Sequence, residues 1–470
     1  ARLRSDGGHN VVALVGGGNN GGDALYAVAR LARRGGWRIS CAAILIAETA
    51  HESGLAAAEE AGVIITSAAD AAPGRLGPDA AWLPILAEAD LVLDGITGIG
   101  GRPGLSPAAH TVVQLIPDDA YVIAVDVPSG CDADGGPSAS CVFADETVTF
   151  GGLKPASLLP GTDEASGLLT VVDIGLGALG SPAIERLTFD DVARLWPVPD
   201  SRSDKYSRGV LGLVAGSPAY PGAAILTALG ALGAGPGMVR YAGPATEAVL
   251  AAAPEVVTRM GRVQAWVVGP GVELTDDDPR ALAQRERVEQ AFGSNAPVLI
   301  DAGALEPYAK RCADGLVRGA HVGTLLTPHA GEAARMLTVL VPDVRTTRAD
   351  VEDDPVGQAR RLADLTGATV LLKGSTTLVV SPTAAGRPVR SQADAPAWLA
   401  TAGAGDVLAG IIGTLLAAGL DVVDAASVGA CVHGLAADAA NPGGPVRASA
   451  VAAAVPTVVG ELLLRYEAGV

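Results

Sequence analysis

Residues 11–25 read VVALVGGGNNGGDAL, an apolar β-branched run that passes through glycines and asparagines directly into a helix-forming segment. A short buried strand followed by a glycine-rich turn and a helix is the start of a βαβ unit, in which helices cover parallel strands. The same alternation of strand and helix patterns continues along most of the chain. We therefore expect an α/β protein built on parallel sheets.

Strand patterns occur in both halves of the chain, with helical patterns between them. The candidate strands are residues 11–15, 41–47, 91–94, 121–126, 147–150 and 168–172, then 210–215, 265–269, 297–301, 323–327 and 369–374. The clearest helical patterns are residues 23–34, residues 54–62 and most of residues 405–466. Between the two halves, residues 196–209 read WPVPDSRSDKYSRG, a Pro-, Ser- and charge-rich composition that indicates a linker.

The composition limits the number of domains and the kinds of partner. At 470 residues the chain is too long for one compact core, so we expect at least two domains. A net charge of −18 and only 3% aromatic residues argue against a nucleic-acid partner, which needs a basic face and stacking rings. With 49% hydrophobic and 18% charged residues, the chain is globular rather than disordered.

The cysteines and the apolar stretches bear on the compartment. The five cysteines form no C-x-x-C motif, so we expect neither a disulfide framework nor a zinc site, and a reducing cytoplasm is the natural location. Residues 210–239 carry no charge, but Pro218, Pro221 and Pro236 leave too short an apolar run to span a membrane.

The first glycine loop has more than one interpretation. Its spacing, Gly16-x-Gly18-x-x-Gly21, also matches the dinucleotide-binding fingerprint, with Glu48 as the acid that would bind a ribose. Asp23 argues against that interpretation, because a carboxylate in the first helical turn would repel a bound phosphate. The neighbouring asparagines instead offer amide groups to a polar ligand or an alkali cation. A plain turn with Asp23 near the N-cap is the structural alternative.

Polar residues follow several predicted strands, at the sheet edge where open α/β folds bind ligands. Each of these loops alone is an ordinary turn, but together they predict one site that contains carboxylates, a hydroxyl and an ammonium group. The residues are Asp94, the glycine-rich loop 98–104, Asp126, Ser129 and Lys154.

Four ordered motifs in the first half, GGGNNGGDAL, DGITGIGGRPG, AVDVPSGCDADG and VTFGGLKP, resemble the NAD(P)H-hydrate epimerase family, the YjeF N-terminal domain, over residues 1–186. The resemblance implies a Rossmann-like αβα fold, with Asp126 and Lys154 as the acid/base groups. It implies a potassium ion bound by Asn20, Asp94 and Ser129. The substrate site that it implies consists of Asn19, Asn20, Gly21, Gly22, Asp23, Gly98, Ile99, Gly100, Gly101, Arg102, Pro103, Gly104 and Asp126.

Three loops in the second half carry groups suited to phosphate. They contain Lys373 after a strand, His329 and Glu332 at a helix start, and Asp406 in the sequence GAGD, where a helix begins with free N–H groups. Such N–H groups neutralise a transferred phosphoryl group while a neighbouring carboxylate takes a proton from the attacking hydroxyl. Asp406 as a mere helix cap is the structural alternative. Lys373 as a phosphate partner and Glu332 as a metal-water ligand favour the catalytic interpretation.

The motifs DKYSRG, SPAYPGAA, VVGPG, LTPHAGE, LLKGSTT and LATAGAGDVLAGIIG resemble the ADP-dependent NAD(P)H-hydrate dehydratases, the ribokinase-like YjeF C-terminal domain, over residues 187–470. The resemblance implies that Ala223, Gly271, His329 and Asp406 contact the hydrated nicotinamide nucleotide. It implies that ADP with Mg²⁺ is bound by Lys373, Gly374, Ser375, Thr376, Thr377 and Gly405. The chain departs from the family pattern at Glu273, at Gly303 and at Pro236.

Together the two resemblances imply a homo-oligomeric repair enzyme that interconverts the epimers of hydrated NADH and NADPH and dehydrates one of them at the expense of ADP. Two alternatives remain open from the residues. One is a binding module whose first domain senses a nucleotide. The other is a small-molecule kinase of the hydroxymethylpyrimidine type with an unrelated N-terminal domain.

Overall fold

The computed structural model describes residues 9–35, 38–72, 80–138, 140–177, 180–273, 279–316 and 323–469. The chain divides into two compact units, Ala1–Gly180 and Ser181–Val470. Each unit contains one largely parallel sheet with helices between its strands, which confirms the predicted α/β class.

The sheet of the first unit has, within the described residues, the strand order β3-β2-β1-β4-β5-β6-β7, and every pairing is parallel. The order reverses at β1, so the carboxyl ends of β1 and β4 flank the crevice where such sheets bind ligands. Its strands are β1 (His9–Val15), β2 (Ile39–Leu45), β3 (Ile64–Ser67), β4 (Leu91–Gly95), β5 (Tyr121–Val125), β6 (Glu146–Phe150) and β7 (Leu168–Val172).

Helices cover both faces of this sheet. Side chains alternate along β1, so that Val12 and Leu14 belong to one buried cluster while Val11, Ala13 and Val15 belong to another. The two clusters make the unit a three-layer αβα structure. Its helices are α1 (Asn19–Gly35), α2 (Glu52–Glu60), α3 (Trp82–Ala87) and α4 (Pro107–Val113).

The sheet of the second unit has the order β10-β9-β11-β12-β13-β14-β15-β16-β8. Along this order, the six strands from β10 through β9 and β11 to β14 pair parallel with their neighbours. Strand β15 pairs antiparallel with both β14 and β16. The strands are β8 (Ile184–Glu185), β9 (Val210–Val214), β10 (Met238–Tyr241), β11 (Ala265–Val268), β12 (Val298–Ile300), β13 (Thr324–Leu326), β14 (Thr369–Leu372), β15 (Thr377–Val380) and β16 (Val389–Gln392).

The helices of this unit pack most closely where glycines bring backbones together. A Cβ atom on Gly410 would lie 2.2 Å from the carbonyl oxygen of Thr227, so that helices α13 and α6 touch through their main chains. The helices are α5 (Phe189–Leu195), α6 (Pro221–Gly233), α7 (Thr246–Ala252), α8 (Pro279–Phe292), α9 (Leu305–Ala313), α10 (Ala330–Leu340), α11 (Arg348–Asp353), α12 (Pro355–Thr366), α13 (Ala404–Ala417), α14 (Val422–Ala440) and α15 (Ala448–Ala468).

The prediction of a linker at residues 196–209 is wrong, because these residues lie inside the second compact unit. Trp196 is buried in the large core of that unit, together with residues of α13 and α15. Strand β8 already pairs with β16 at the sheet edge. The two units therefore divide at Gly180 and Ser181, earlier than the expected boundary after residue 186.

Two helices are long and apolar enough to cross a membrane when judged by length and composition alone. They are α14 and α15, and 72% of the apolar window of α14 is buried within the unit. Core helices of globular proteins pass the same test. Residues 210–239 carry no charge, and the sequence analysis excluded them as a membrane span because of their prolines. In the structure they form β9, α6 and part of β10.

Candidate active sites

The carboxyl ends of strands β1, β4, β5 and β6 surround a cavity of about 990 Å³ in the first unit. This placement matches the prediction that the loops after these strands converge at one sheet edge. The cavity is lined by Gly17, Gly18, Asn19, Asn20, Asp23, Ile96, Thr97, Gly98, Ile99, Gly100, Gly101, Asp126, Phe150, Lys154 and Ile174.

Some residues of the expected substrate site do not line this cavity. Gly21 and Gly22 are buried beneath it: a Cβ on Gly21 would lie 2.1 Å from the Gly16 carbonyl oxygen, and one on Gly22 would lie 2.7 Å from the His51 ring. Gly21 therefore lets α1 approach the first loop, and Gly22 lets it approach His51 at the start of α2. The cavity lining also lacks Arg102, Pro103, Gly104 and the alternative ribose acid Glu48.

Asp23 lies deeper in its helix than the sequence suggested. Helix α1 begins at Asn19 rather than at Asp23, so the carboxylate lies in the second turn and is neither an N-cap nor a first-turn residue. Burial, followed by the negative charge of Asp126, raises the pKa of Asp23. The two carboxylates thus act on each other across the same cavity.

The expected acid/base groups are in direct contact. Asp126 has a φ of +71°, a left-handed conformation that is rare for residues other than glycine and that clusters at functional sites. The ammonium group of Lys154 donates to Asp126 Oδ1 and, at 2.8 Å, to the hydroxyl of Thr149. Thr149 in turn donates to Asp126 Oδ1 at 3.1 Å. Both charged side chains are mostly buried but open to the cavity.

The three side chains expected to bind potassium are linked through Thr97. Ser129 Oγ donates to Asp94 Oδ1 at 2.5 Å and lies 3.1 Å from the Thr97 carbonyl oxygen, which accepts a hydrogen bond from Asn20 Nδ2 at 3.0 Å. Burial raises the pKa of Asp94, which has no exposed surface, to about 6. Carboxylate, hydroxyl and carbonyl oxygens are the ligands that hard cations prefer, so this donor set fits an alkali cation.

A buried charge cluster occupies the corresponding sheet edge of the second unit. Lys373 Nζ contacts Asp301 Oδ1 at 2.8 Å and Glu332 Oε2 at 3.8 Å. Burial alone would lower the pKa of Lys373, but Asp301, Glu332 and Asp406 together raise it. The ammonium group therefore stays charged at neutral pH and is suited to hold a phosphate.

Asp406 stands beside this cluster in the first turn of α13. The N-cap of the helix is Gly403, with a φ of +86°, so the alternative that Asp406 merely caps the helix is wrong. A Cβ on Gly405 would lie 3.5 Å from Lys373 Nζ, which places the lysine at the helix entrance. Burial, and then the charge of Asp301, raise the pKa of Asp406 to about 6, although Lys373 lowers it. A carboxylate that titrates near neutrality is suited to general-base work.

His433, on helix α14, contacts the first residue of α13. It is buried and hydrogen-bonded to the backbone of Ala404, and its burial lowers its pKa to about 4. The ring is therefore neutral at physiological pH. Its Nε2 atom has no hydrogen-bond partner among the described residues.

The other expected substrate contacts lie on neighbouring loops. His329 caps α10, where its Nδ1 atom accepts hydrogen bonds from the N–H groups of Gly331 and Glu332, and its side chain is half exposed. Gly271 adjoins Ala223, since a Cβ on Gly271 would lie 2.5 Å from that of Ala223. Of the residues expected to bind the adenine nucleotide, Gly374 and Ser375 are exposed, whereas Thr376 is buried.

Two of the departures from the family pattern lie beside one cavity of about 500 Å³, which Glu273, Gly303 and Glu332 help to line. Gly303 admits no side chain, because a Cβ would lie 1.9 Å from the Val272 carbonyl oxygen. Glu273 accepts a hydrogen bond from the Ser217 hydroxyl at 3.1 Å.

The sequence analysis did not identify three polar residues that contact the charged groups, namely Asp301, Thr327 and Thr149. Asp301 is buried between Lys373 and the Thr327 hydroxyl, which donates to it at 2.9 Å. Its position at the end of a predicted strand is the same signal that identified Asp94 and Asp126. Thr149, by contrast, lies within a strand, where a hydroxyl gives no functional signal.

Comparison with known families and structures gives consistent matches over most of the chain. Residues 211–453 match the family model described as NAD(P)H-hydrate dehydratase, and residues 1–156 match the model of the YjeF-related protein N-terminus. A Mycobacterium tuberculosis protein called bifunctional NAD(P)H-hydrate repair enzyme is 44% identical over 427 residues, which cover 89% of this chain and 81% of that protein.

More distant relatives carry the same description. The Mycobacterium leprae protein is 42% identical, covering 93% of this chain and 85% of its own length, and the Escherichia coli protein is 32% identical, covering 91% and 80%. An ADP/ATP-dependent NAD(P)H-hydrate dehydratase from Bacillus subtilis, crystallised with ATP and Mg²⁺, has a TM-score of 0.50 at 24% identity. It covers 61% of this chain and 100% of its own, and it shows the fold of the second unit.

Proposed function

The chain belongs to the bifunctional NAD(P)H-hydrate repair enzymes, and on that premise we propose which residues carry out each of its two reactions. The first unit, expected at residues 1–186, epimerises the hydrated nucleotide. The second, expected at residues 187–470, dehydrates it. The observation that carries the proposal is the partly buried Asp406 beside Lys373 at the entrance of α13.

The chemistry of the substrate explains why two sites are needed. Water added across the 5,6 double bond of a reduced nicotinamide leaves a hydroxyl on C6, beside ring nitrogen N1, as a hemiaminal with two epimers. Hydroxide is a poor leaving group, whereas phosphate is a good one. A stereospecific phosphoryl-transfer site accepts one epimer only, so an epimerase must supply the other.

We assign the base of the dehydratase to Asp406. Its carboxylate takes the proton of the C6 hydroxyl as that oxygen forms a bond to the β-phosphorus of ADP, and the bond from that phosphorus to AMP breaks. The N1 lone pair then expels phosphate, and loss of a C5 proton restores the dihydropyridine. The products are NADH or NADPH, AMP, phosphate and one proton.

Neighbouring groups bind and orient the reactants. Lys373 and the first N–H groups of α13 neutralise the phosphoryl oxygens. Gly374, Ser375, Thr376, Thr377 and Gly405 bind the rest of the adenine nucleotide. Ala223, Gly271 and His329 hold the hydrated nicotinamide nucleotide. Asp301 has no contact with substrate in this scheme and positions Lys373 instead.

In the first unit, Asp126 moves the proton needed to open the hemiaminal. In a ring-cleaved route it takes the proton of the C6 hydroxyl as the C6–N1 bond breaks and N1 is protonated; in an iminium route a proton passes to the hydroxyl as the C6–O bond breaks and water leaves. Reclosure or re-addition of water on the opposite face reverses the same proton transfer. Lys154 and Thr149 fix the orientation of the Asp126 carboxylate. The other residues proposed to contact the substrate are those of the Asn19–Asn20 turn, Asp23 and the loop 98–104. Of these, Asn19, Asn20, Asp23 and the first part of the loop, Gly98 to Gly101, line the cavity that would hold the nicotinamide.

Both sites are proposed to use a cation. Within the described residues no group of three or more His, Cys, Asp or Glu side chains converges on one point. This is compatible with K⁺ on Asn20, Asp94 and Ser129, and with Mg²⁺ bound mainly by nucleotide phosphates and a single carboxylate, for which Glu332 is the candidate. K⁺ would neutralise Asp94 beneath the substrate loop, and Mg²⁺ would offset charge on the transferred phosphoryl group.

We also propose that the protein is a cytoplasmic homo-oligomer. The five free cysteines fit a reducing compartment. Exposed apolar side chains on and after β7, namely Leu168, Val171 and Ile174, form the kind of surface that a second copy covers. Neither proposal affects the assignment of the two reactions.

The decisive experiment is a product assay with the full chain. We expect AMP and phosphate to form only when both ADP and hydrated NADH or NADPH are present, with one restored nicotinamide per AMP. A small-molecule kinase of the hydroxymethylpyrimidine type would instead phosphorylate a pyrimidine alcohol, and a sensing module would form no AMP. Restoration of NADH without AMP formation would refute the phosphoryl-transfer route.

A further inference from the structure

Two of the five cysteines lie together in the first unit. Cys131 is buried in the loop that follows β5, and Cys141 is partly exposed in the segment that precedes β6. The remaining cysteines occupy separate elements, β2, α9 and α14.

The backbone segments that carry these thiols are already in contact. Val142 N donates to the Ser129 carbonyl oxygen at 2.8 Å. A Cβ on Gly130 would lie 2.4 Å from the Ser140 carbonyl oxygen and 3.0 Å from the Cys141 Cα atom. A disulfide requires two closely spaced backbones, and these contacts hold the segments that carry the two cysteines side by side.

The same two segments support the proposed substrate loop. Gly104 N donates to the Gly130 carbonyl oxygen at 2.7 Å, and Leu105 N donates to Ser140 Oγ at 3.1 Å. Gly130 N also donates to Thr97 Oγ1 at 3.3 Å. The end of the 98–104 loop is therefore attached to one residue beside each cysteine.

We propose that Cys131 and Cys141 are a redox-sensitive dithiol, oxidised by peroxides to a disulfide that slows epimerisation by displacing the anchors of the substrate loop. The partly exposed Cys141 sulfur, as thiolate, attacks the peroxide O–O bond and becomes a sulfenic acid, with one oxygen leaving as water. The Cys131 sulfur then attacks the sulfenic sulfur and releases a second water. Two thiols and one hydrogen peroxide thus give one disulfide and two waters.

The inhibitory effect follows from the distance change. Forming the disulfide brings the two sulfurs to about 2.05 Å, far inside their non-bonded contact distance. We expect this closure to pull Gly130 and Ser140 with the two cysteines, and displacements of about 1 Å at a catalytic site reduce rates by up to about a hundredfold. This effect rests on the proposed epimerase function, whereas the oxidation itself does not.

The test treats the intact, reduced full-length chain with hydrogen peroxide. We expect the titratable thiols of the unfolded protein to fall from five to about three, as one disulfide consumes two thiols. Peptide mass mapping should show Cys131 linked to Cys141. The rate of epimer interconversion should fall at least about fivefold, within the range expected for such a displacement, and recover with dithiothreitol, while AMP formation from the preferred epimer stays unchanged.

Matched variants separate the pair from the other cysteines. Cys141→Ser should keep its basal activity and lose its peroxide sensitivity, whereas Cys312→Ser should respond like the unmodified chain. Oxidation that stops at a sulfinic acid, or that links other cysteines, would overturn the dithiol. A Cys131–Cys141 disulfide with unchanged epimerisation would overturn the regulatory effect. If the reduced chain has no epimerase activity, the proposed function fails, and mass mapping still tests the dithiol.

Discussion

Each unit contains one aspartate whose burial raises its pKa to about 6, Asp94 in the first and Asp406 in the second. The two groups differ in what surrounds the carboxylate. Asp94 accepts hydrogen bonds from Ser129 and Ile96, and the donor set around it fits a cation. Asp406 stands beside an ammonium group at a helix entrance. We propose that the same burial serves ion binding in one unit and proton transfer in the other.

Replacing Asp406 by asparagine should reduce dehydration by about 10²–10⁴-fold, the usual effect of losing a general base, while nucleotide binding persists. In the unmodified chain, kcat/KM should rise as pH increases through about 6, because Asp406 must be ionised to accept a proton. The variant should lack this rise. The measurement is a pH profile of AMP formation. Asp438→Asn, at an exposed position on α14, is the matched control. Near-normal turnover by Asp406→Asn would refute the assignment.

The same substitution should stabilise the second unit at neutral pH. Because folding raises the pKa of Asp406 above the 3.8 of an unperturbed aspartate, the folded state holds the proton more tightly than the unfolded state. Its contribution to stability is full below pH 3.8 and is lost as pH rises through about 6. In urea unfolding, the free energy of unfolding of Asp406→Asn should therefore exceed that of the unmodified chain by about 2–3 kcal/mol above about pH 6. Below about pH 4 the two should have equal free energies of unfolding.

Substitution of Asp94 tests the potassium site. In the unmodified chain, K⁺ should raise the melting temperature above that in an equal concentration of a large organic cation, because ligand binding stabilises the folded state. This increment should shrink below pH 6, where Asp94 becomes protonated. Asp94→Ala and Asn20→Ala should both lose the increment. The exposed variant Asp119→Ala should retain it. A full K⁺ increment in both site variants would rule out this ligand set.

At the level of helices and strands, the strongly apolar elements could be predicted from sequence and the polar or short ones could not. The buried runs of β1, β4, β9 and β11 were located to within a residue or two at each end. Strands β3, β8, β10, β15 and β16 were missed. Threonine, serine or arginine interrupts the apolar pattern of β3, β10 and β16, whereas β8 and β15 are short, with two and four residues. The start of α1 was placed late, since asparagine and glycine are poor helix formers that tertiary contacts override here.

Part of each candidate site could also be predicted from the sequence, namely the part that lies at strand ends. Carboxylates at strand ends are visible in the sequence, and Asp94, Asp126 and Lys154 lie together with their expected neighbours. Contacts made across the sheet, such as Thr149 with Asp126 or Asp301 with Lys373, depend on strand order. Strand order comes from the tertiary fold rather than from local spacing.

The segment 196–209 gives a test at this scale. It has the composition of a linker, but Trp196 is only 9% exposed and belongs to the core of the second unit. Trp196→Ala should destabilise this unit by about 3–5 kcal/mol, as expected for a large buried side chain. Trp398, which is 53% exposed, supplies the control Trp398→Ala, with a much smaller expected loss. Equal, small losses in urea unfolding would restore the linker interpretation.

For the whole molecule, the question is whether the two units form one pathway. Given both epimers and ADP, Asp126→Ala should consume one epimer at the normal rate and then slow to the uncatalysed interconversion rate, because the dehydratase residues lie in the second unit. The unmodified chain and the exposed variant Asp119→Ala should carry the mixture to completion. The measurement is nicotinamide absorbance against time, with the epimers resolved by chromatography at the plateau. Single-phase, complete conversion by Asp126→Ala would remove Asp126 from the proposed mechanism.

The division at Gly180 and Ser181 also bears on inheritance. Asp126 and the polar groups it contacts come from the first unit, and Asp406 and its charged neighbours come from the second. A mutation in one site therefore leaves the other genetically intact, and selection can act on each reaction separately. Descendant lineages can lose one activity, or encode the two units as separate genes, without rebuilding either site.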